Sequence, residues 1–257
     1  MIARWLRSTW PIWMLGMTLG AVPHAIAAPP ETAPAELTAA LSELEAAANR
    51  QDLAAVMAFY GDSYRHADGF NRTQFEATLR DLWAQQTTIT YDLELLSWEA
   101  EGAAIVAETL TTIRGTRLQD GREFDLTADV RSRQRFENGQ IVYQEVISEE
   151  AQLTSGENPP TVLVQLPATV KPGAQYGFDA IVQEPLGNRL LLGRAVEEGV
   201  TSEGFFSPRP IDLEQLAAGG LFKVGRAPSQ ADQRWISAVL VREDGFVIHT
   251  RRLQIEE

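Results

Sequence analysis

The stretch FYGDSYRHADG, residues 59–69, places Tyr60, Tyr64, His66 and Asp68 close together in the chain. If residues 64–68 are extended, the two-residue period of a strand puts Tyr64, His66 and Asp68 on one face. Imidazole titrates near neutral pH, and a neighbouring carboxylate can hold its orientation, so His66 and Asp68 are candidates for acid–base chemistry with Tyr64 beside them. The competing reading is structural: Asp68-Gly69 closes a turn, and His66 packs half-exposed at a strand edge.

A second set of residues suits binding. Tyr60 falls in phase with Leu53, Val56 and Met57, which predicts a buried ring. Trp83, Tyr91 and Trp98 are candidates for the aromatic wall of an apolar pocket, with core packing as the alternative. The segment DLTADVRSRQRF, residues 125–136, separates into two faces. Leu126, Ala128, Val130, Ser132, Gln134 and Phe136 point one way; Arg131, Arg133 and Arg135 point the other, with Asp125, Thr127 and Asp129. The arginines are expected to pair with acids such as Glu108 and Glu145 rather than to hold an anionic ligand. Ser132 and Gln134 lie on the apolar side, where polar groups must find partners or line a cavity.

Other chemistries find little support. The chain has no cysteine, which excludes thiol catalysis, thiolate metal sites and disulfides. His66 and His249 are its only histidines beyond residue 27, and they have no ligand spacing, so no metal is expected. Serine-hydrolase elbow, phosphate loop and dinucleotide fingerprint are missing, so no cofactor is expected either. The formal net charge is −13, and −15 once Arg4 and Arg7 are removed with a leader. A surface that acidic repels nucleic acid, whose recognition depends on neutralising phosphates.

The elements that must position these residues follow from periodicity. Residues 1–27 read as a secretory signal peptide: Arg4 and Arg7, an apolar run from Trp10 to Val22, then Ala25-Ile26-Ala27 as the cleavage pattern. The expected location is periplasmic or secreted, with no membrane span after processing. Residues 28–36 form a proline-rich linker. From Leu37, apolar residues at 41, 44 and 48 predict a helix, and Asp52 caps a second one. Thr73 and Glu76 suggest a capping box for a third, with Phe75, Leu79, Leu82 and Trp83 as its buried stripe. Beyond Gln86 the period becomes strand-like, and Glu101-Gly102, Asp120-Gly121 and Asn138-Gly139 mark hairpin turns dividing four long strands. These elements predict an α+β domain over 37–150, a linker at 151–160, and an all-β immunoglobulin-like sandwich over 161–257. In that second domain GFFSPRPI, with Phe205 and Phe206, is the loop most suited to a partner.

Three stretches, ANRQDLAAVMAFYGDSYRHADG, RTQFEATLRDLWAQQTTITYDLELLSWE and RSRQRFENGQIVYQEVISEE, together resemble the nuclear transport factor 2-like superfamily, which includes ketosteroid-isomerase-like and polyketide-cyclase-like proteins. The resemblance covers residues 35–150. It implies a cone, in which three helices rest on a curved antiparallel sheet around a pocket open at one end. It also implies that catalytic groups, where present, come from the helix-to-strand region and the inner sheet face, and that homodimers form through the outer sheet face. Three functions fit: an exported non-enzymatic protein whose cone binds a small apolar ligand or a protein partner; an isomerase, cyclase or hydrolase working by acid–base chemistry at His66 and Asp68; or a structural envelope module with a filled cone. The first is preferred, because no catalytic motif here is specific.

Overall fold

The computed structural model describes residues 27–187, 189–201, 211–216 and 219–257. Most of the expected signal segment, and Phe205 and Phe206, lie outside the described residues. Leu37, Leu41 and Leu44 form the buried stripe of α1 (Ala35–Asn49), joined by Ala47. Asp52 caps α2 (Leu53–Ala58), its carboxylate accepting from the Ala55 amide at 3.0 Å. The chain then enters β1 (Tyr60–His66), so Tyr60 opens a strand rather than extending the helix, yet its ring is buried as expected.

The cap of α3 (Arg72–Gln85) differs from expectation. Asn71, not Thr73, is the N-cap: its side chain accepts from the Gln74 amide, and Gln74 Oε1 accepts from the Asn71 amide, both at 3.0 Å. The residues expected as a linker at 28–36 are structured. Ala28 exchanges backbone hydrogen bonds with Trp98, and α1 already begins at Ala35.

The meander follows from its turns. Asp120-Gly121 and Asn138-Gly139 have positive φ at both central residues (52° and 75°, 51° and 79°), the backbone that suits the twist of paired strands. They join β3 (Ala104–Gln119), β4 (Arg122–Glu137) and β5 (Gln140–Gly156), while Gly102 turns the chain from β2 (Thr88–Glu101) into β3. The three helices pack on the inner face of this sheet around one core, which includes Leu41, Met57, Trp83 and Phe136.

The second half is also β-rich: β6 (Val162–Gln165), β7 (Thr169–Val170), β8 (Gln175–Val182), β9 (Leu192–Gly199), β10 (Glu214–Gln215), β11 (Gly220–Arg226), β12 (Asp232–Arg242) and β13 (Gly245–Ile255). A three-stranded sheet in the order β11-β8-β6 shares a core with β12 and β13 through Phe178, Ala180, Leu221, Leu240 and Leu253.

The halves are not separated as the sequence suggested. One sheet runs through both in the order β10-β9-β12-β13-β5-β4-β3-β2. Residues 151–156, expected to begin a linker, are the last part of β5, and Glu150–Gly156 pairs with β13 from Arg251 to Gly245. The earlier part of that same edge of β5 carries β1, with His66 opposite Gln144. Running parallel to β5, β1 ends where antiparallel β13 also ends. The C-terminal ends of two strands from opposite halves of the chain are therefore brought together beside residues 145–149 of β5.

Candidate functional site

A cavity of about 380 Å³ lies between the helices and the inner sheet face. Leu44, Val56, Phe75 and Leu79 wall it from the helices; Leu93, Ile113, Leu126 and Val130 wall it from the sheet. Its polar residues gather mostly at the end where β1 and β13 meet: Ser132 and Gln134 from β4, Gln144 and Glu149 from β5, His66 and Asp68 at the end of β1, and Arg252 from β13.

A β-bulge makes this arrangement possible. Against β4, β5 holds one extra residue at Ile147, for Ser132 pairs with Val146 while Arg131 pairs with Ser148. The bulge shifts the alternation by one. Gln144 and Val146 face the cavity before it, and Glu149 and Ala151 after it. Under strict alternation Glu149 would point to the outer face.

Glu149 and Asp68 flank Arg252, whose side chain is 1% exposed. Arg252 Nη1 and Nη2 donate to Asp68 Oδ1 and Oδ2 at 2.9 and 2.8 Å. Nε and Nη2 donate to Glu149 Oε2 at 3.1 and 2.9 Å, and Nη1 also donates to Gln233 Oε1. A guanidinium has five N–H bonds; these five contacts occupy all of them. Trp235 Nε1 donates to Glu149 Oε2 at 3.0 Å, completing the cluster.

His66 is held differently from a carboxylate-oriented base. The Asp68 amide donates to its Nδ1 at 3.1 Å, while the nearer Asp68 carboxylate oxygen lies 3.6 Å from that nitrogen. An N–H can donate only to an unprotonated nitrogen, so the neutral ring carries its proton on Nε2. Burial pushes its pKa below the ordinary histidine value and so favours the neutral form, outweighing the upward pull of Asp68. Asp68 itself sits in the turn after β1, where Gly69 N donates to His66 O at 3.0 Å. His66, Asp68 and Tyr64 thus do not share a strand face in the way extended residues 64–68 would. Tyr64 is wholly buried and lies outside the cavity lining; its hydroxyl points to Gln144 Oε1 at 3.4 Å, and burial raises its pKa.

Of the expected pocket residues, Tyr60, Tyr91, Ser132 and Gln134 line the cavity, and Trp83 does not. Trp83 packs behind Tyr91 and donates its indole N–H to the Tyr91 hydroxyl at 2.7 Å. Tyr91, pushed up to about 12 mainly by burial, stays protonated. Trp98 is directed to the N-terminal segment, bonded to Thr32 Oγ1 at 3.1 Å. Arg131 pairs with Glu108, Arg133 with Glu145, and Arg135 with Glu101 and Glu137, so the outer face is a mesh of ion pairs. Among the described residues, no group of three or more histidines and acids is placed to hold a metal, and no helix is long and apolar enough to cross a membrane.

Sequence reasoning missed Gln144, Glu149 and Arg252. Gln144 and Glu149 lie within the third stretch quoted above, but the bulge that turns Glu149 inward has no marker in the sequence. Arg252 sits in the other half of the chain.

Residues 41–144 match the family model of the SnoaL-like domain, and residues 157–256 match that of a domain of unknown function, DUF8623. Residues 41–144 therefore carry a SnoaL-like domain, of the nuclear transport factor 2-like superfamily. No curated protein matches the chain. Among solved structures, Bd1075 of Bdellovibrio bacteriovorus is similar at 15% identity over 43% of this chain and 38% of its own, with a TM-score of 0.32. An LEH-like epoxide hydrolase of M. tuberculosis shares 18% identity over 43% of this chain and 80% of its own, with a TM-score of 0.31. A loop-truncation variant of IdmH shares 18% over 43% and 90%, with a TM-score of 0.33.

Proposed function

We propose that the protein is a non-enzymatic binding protein whose SnoaL-like domain takes up a small, mainly apolar molecule. The observation that carries this reading is the cavity itself: apolar along the helices and sheet, with hydrogen-bonding groups gathered at one end, as ligand pockets are built. It weighs against a filled structural cone.

The hydrogen bonding of His66 and Asp68 weighs against acid–base catalysis by this pair. The carboxylate of Asp68 is engaged by Arg252, and the free nitrogen of His66 carries a proton, so it offers a donor rather than a base. The second half of the chain serves the pocket by supplying Arg252 to its polar end. An immunoglobulin-like reading of that half is supported by two sheets around a shared apolar core.

Export with cleavage after Ala27, and self-association through the outer sheet face, belong to the same proposal. The native and denatured masses of the chain recovered from a bacterial periplasm would test both.

The pocket is tested by titration with N-phenyl-1-naphthylamine, a neutral fluorescent probe. We expect saturable enhancement with the unaltered chain and its loss in Leu79→Trp, where the larger ring fills the cavity. No enhancement with the unaltered chain would defeat the reading.

A further inference from the structure

Three cross-strand neighbours line the polar end of the cavity. His66 is opposite Gln144, and Gln144 is opposite Gln134, so the three form a row across β1, β5 and β4, all facing the cavity. Gln144 is engaged, accepting from Tyr64 and reaching Ser132 Oγ at 3.5 Å. Gln134 is not. It is 4% exposed, and its Oε1 is buried with no hydrogen-bonding partner among the described residues. A buried acceptor left unpaired is costly, and a ligand that donates to it removes that cost.

The charges at this end limit what the ligand can be. Asp68 and Glu149 are two anions around one cation, and His66 is neutral, which leaves the cluster with a net charge of −1. Every N–H of Arg252 is already directed at Asp68, Glu149 or Gln233. An anionic ligand would be desolvated beside a net negative charge with no free guanidinium to meet it.

We propose that the pocket selects an uncharged, mainly apolar molecule bearing a hydroxyl group and rejects the corresponding carboxylate, with Gln134 as the specificity-determining residue. This rests on the pocket being a ligand site. The hydroxyl donates to Gln134 Oε1, and His66 Nε2–H is the donor available to its oxygen at the same end.

The test is calorimetric binding near pH 7 of three probes sharing one ring system: 2-naphthol, 2-methylnaphthalene and 2-naphthoate. 2-Naphthol is expected to bind roughly tenfold tighter than 2-methylnaphthalene, the worth of one buried hydrogen bond. 2-Naphthoate is expected to bind roughly a hundredfold weaker than 2-naphthol, or not at all. In Gln134→Met, which keeps the side chain's length, the preference for naphthol over methylnaphthalene should vanish. Gln134→Leu serves if the methionine variant fails to fold, and unfolding curves check both.

Equal binding of naphthol and methylnaphthalene by the unaltered chain would overturn the inference and leave the ligand pocket standing. So would a preference that survives in the variant, or naphthoate binding as tightly as naphthol. Failure of all three probes would overturn the pocket reading and this inference with it.

Discussion

Asp68 and Arg252 are 184 residues apart in the chain, yet their side chains meet in two parallel hydrogen bonds of 2.9 and 2.8 Å at the end of the cavity. Each comes from the C-terminal end of a strand bordering β5, one in either half of the protein. Removing one partner of a buried pair strands the other charge. Arg252→Met is therefore expected to lower the unfolding free energy by about 3–5 kcal/mol at neutral pH. Urea denaturation measures it. In the double variant with Asp68→Asn the loss should fall short of the sum, because the two share one interaction. A single variant within about 1 kcal/mol of the parent would show that the cluster contributes little.

Both His66 and His249 have pKa values lowered mainly by burial. Their folded values therefore lie below the ordinary value near 6.5 that they regain on unfolding. Between the two values the unfolded chain binds protons that the native chain does not, so stability rises with pH there. We expect stability to be complete above about pH 7 and to fall as the pH drops through about 6.5 towards the folded values. His66→Gln and His249→Gln should each flatten that slope, whatever they do to absolute stability. An unchanged slope in both would show that other groups govern this range.

The capping of α3 separates two neighbouring residues. Asn71→Ala should cost about 1 kcal/mol, typical of a lost N-cap, while Thr73→Ala should be close to neutral. Thermal unfolding of the two variants side by side decides it; a larger effect at Thr73 would place the helix start two residues later.

Gln134→Leu should make the ligand-free protein more stable, by about 1 kcal/mol, because it replaces an unpaired buried acceptor with an apolar side chain of similar size. A fall in melting temperature would mean that the amide holds the native core together rather than awaiting a ligand.

Much of the first half was legible because its signals are local. The 3- and 4-residue spacing of Leu37, Leu41 and Leu44, the cap at Asp52 and the positive-φ turns at Asp120-Gly121 and Asn138-Gly139 each act within a few residues. The two-faced pattern of β4 likewise placed Ser132 and Gln134 on the cavity side and the arginines outside. Where two local signals compete, the outcome depends on packing: Asn71 displaced Thr73 as the cap, and Trp83 became the support behind Tyr91 rather than a wall of the pocket.

The order of helices and strands, the apolar faces that must be buried and the residues that could line a cavity between them are all written in local patterns along the chain. How the two halves join, and what the polar end of the cavity contains, emerge only when distant strands pair. The pairing of β5 with β13 depends on edge complementarity between distant segments, and the single extra residue at Ile147 that turns Glu149 inward is defined only by the strand opposite it. The contact between Arg252 and Asp68 exists because two strands end beside the same stretch of β5, a coincidence of position in space that no spacing along the chain encodes.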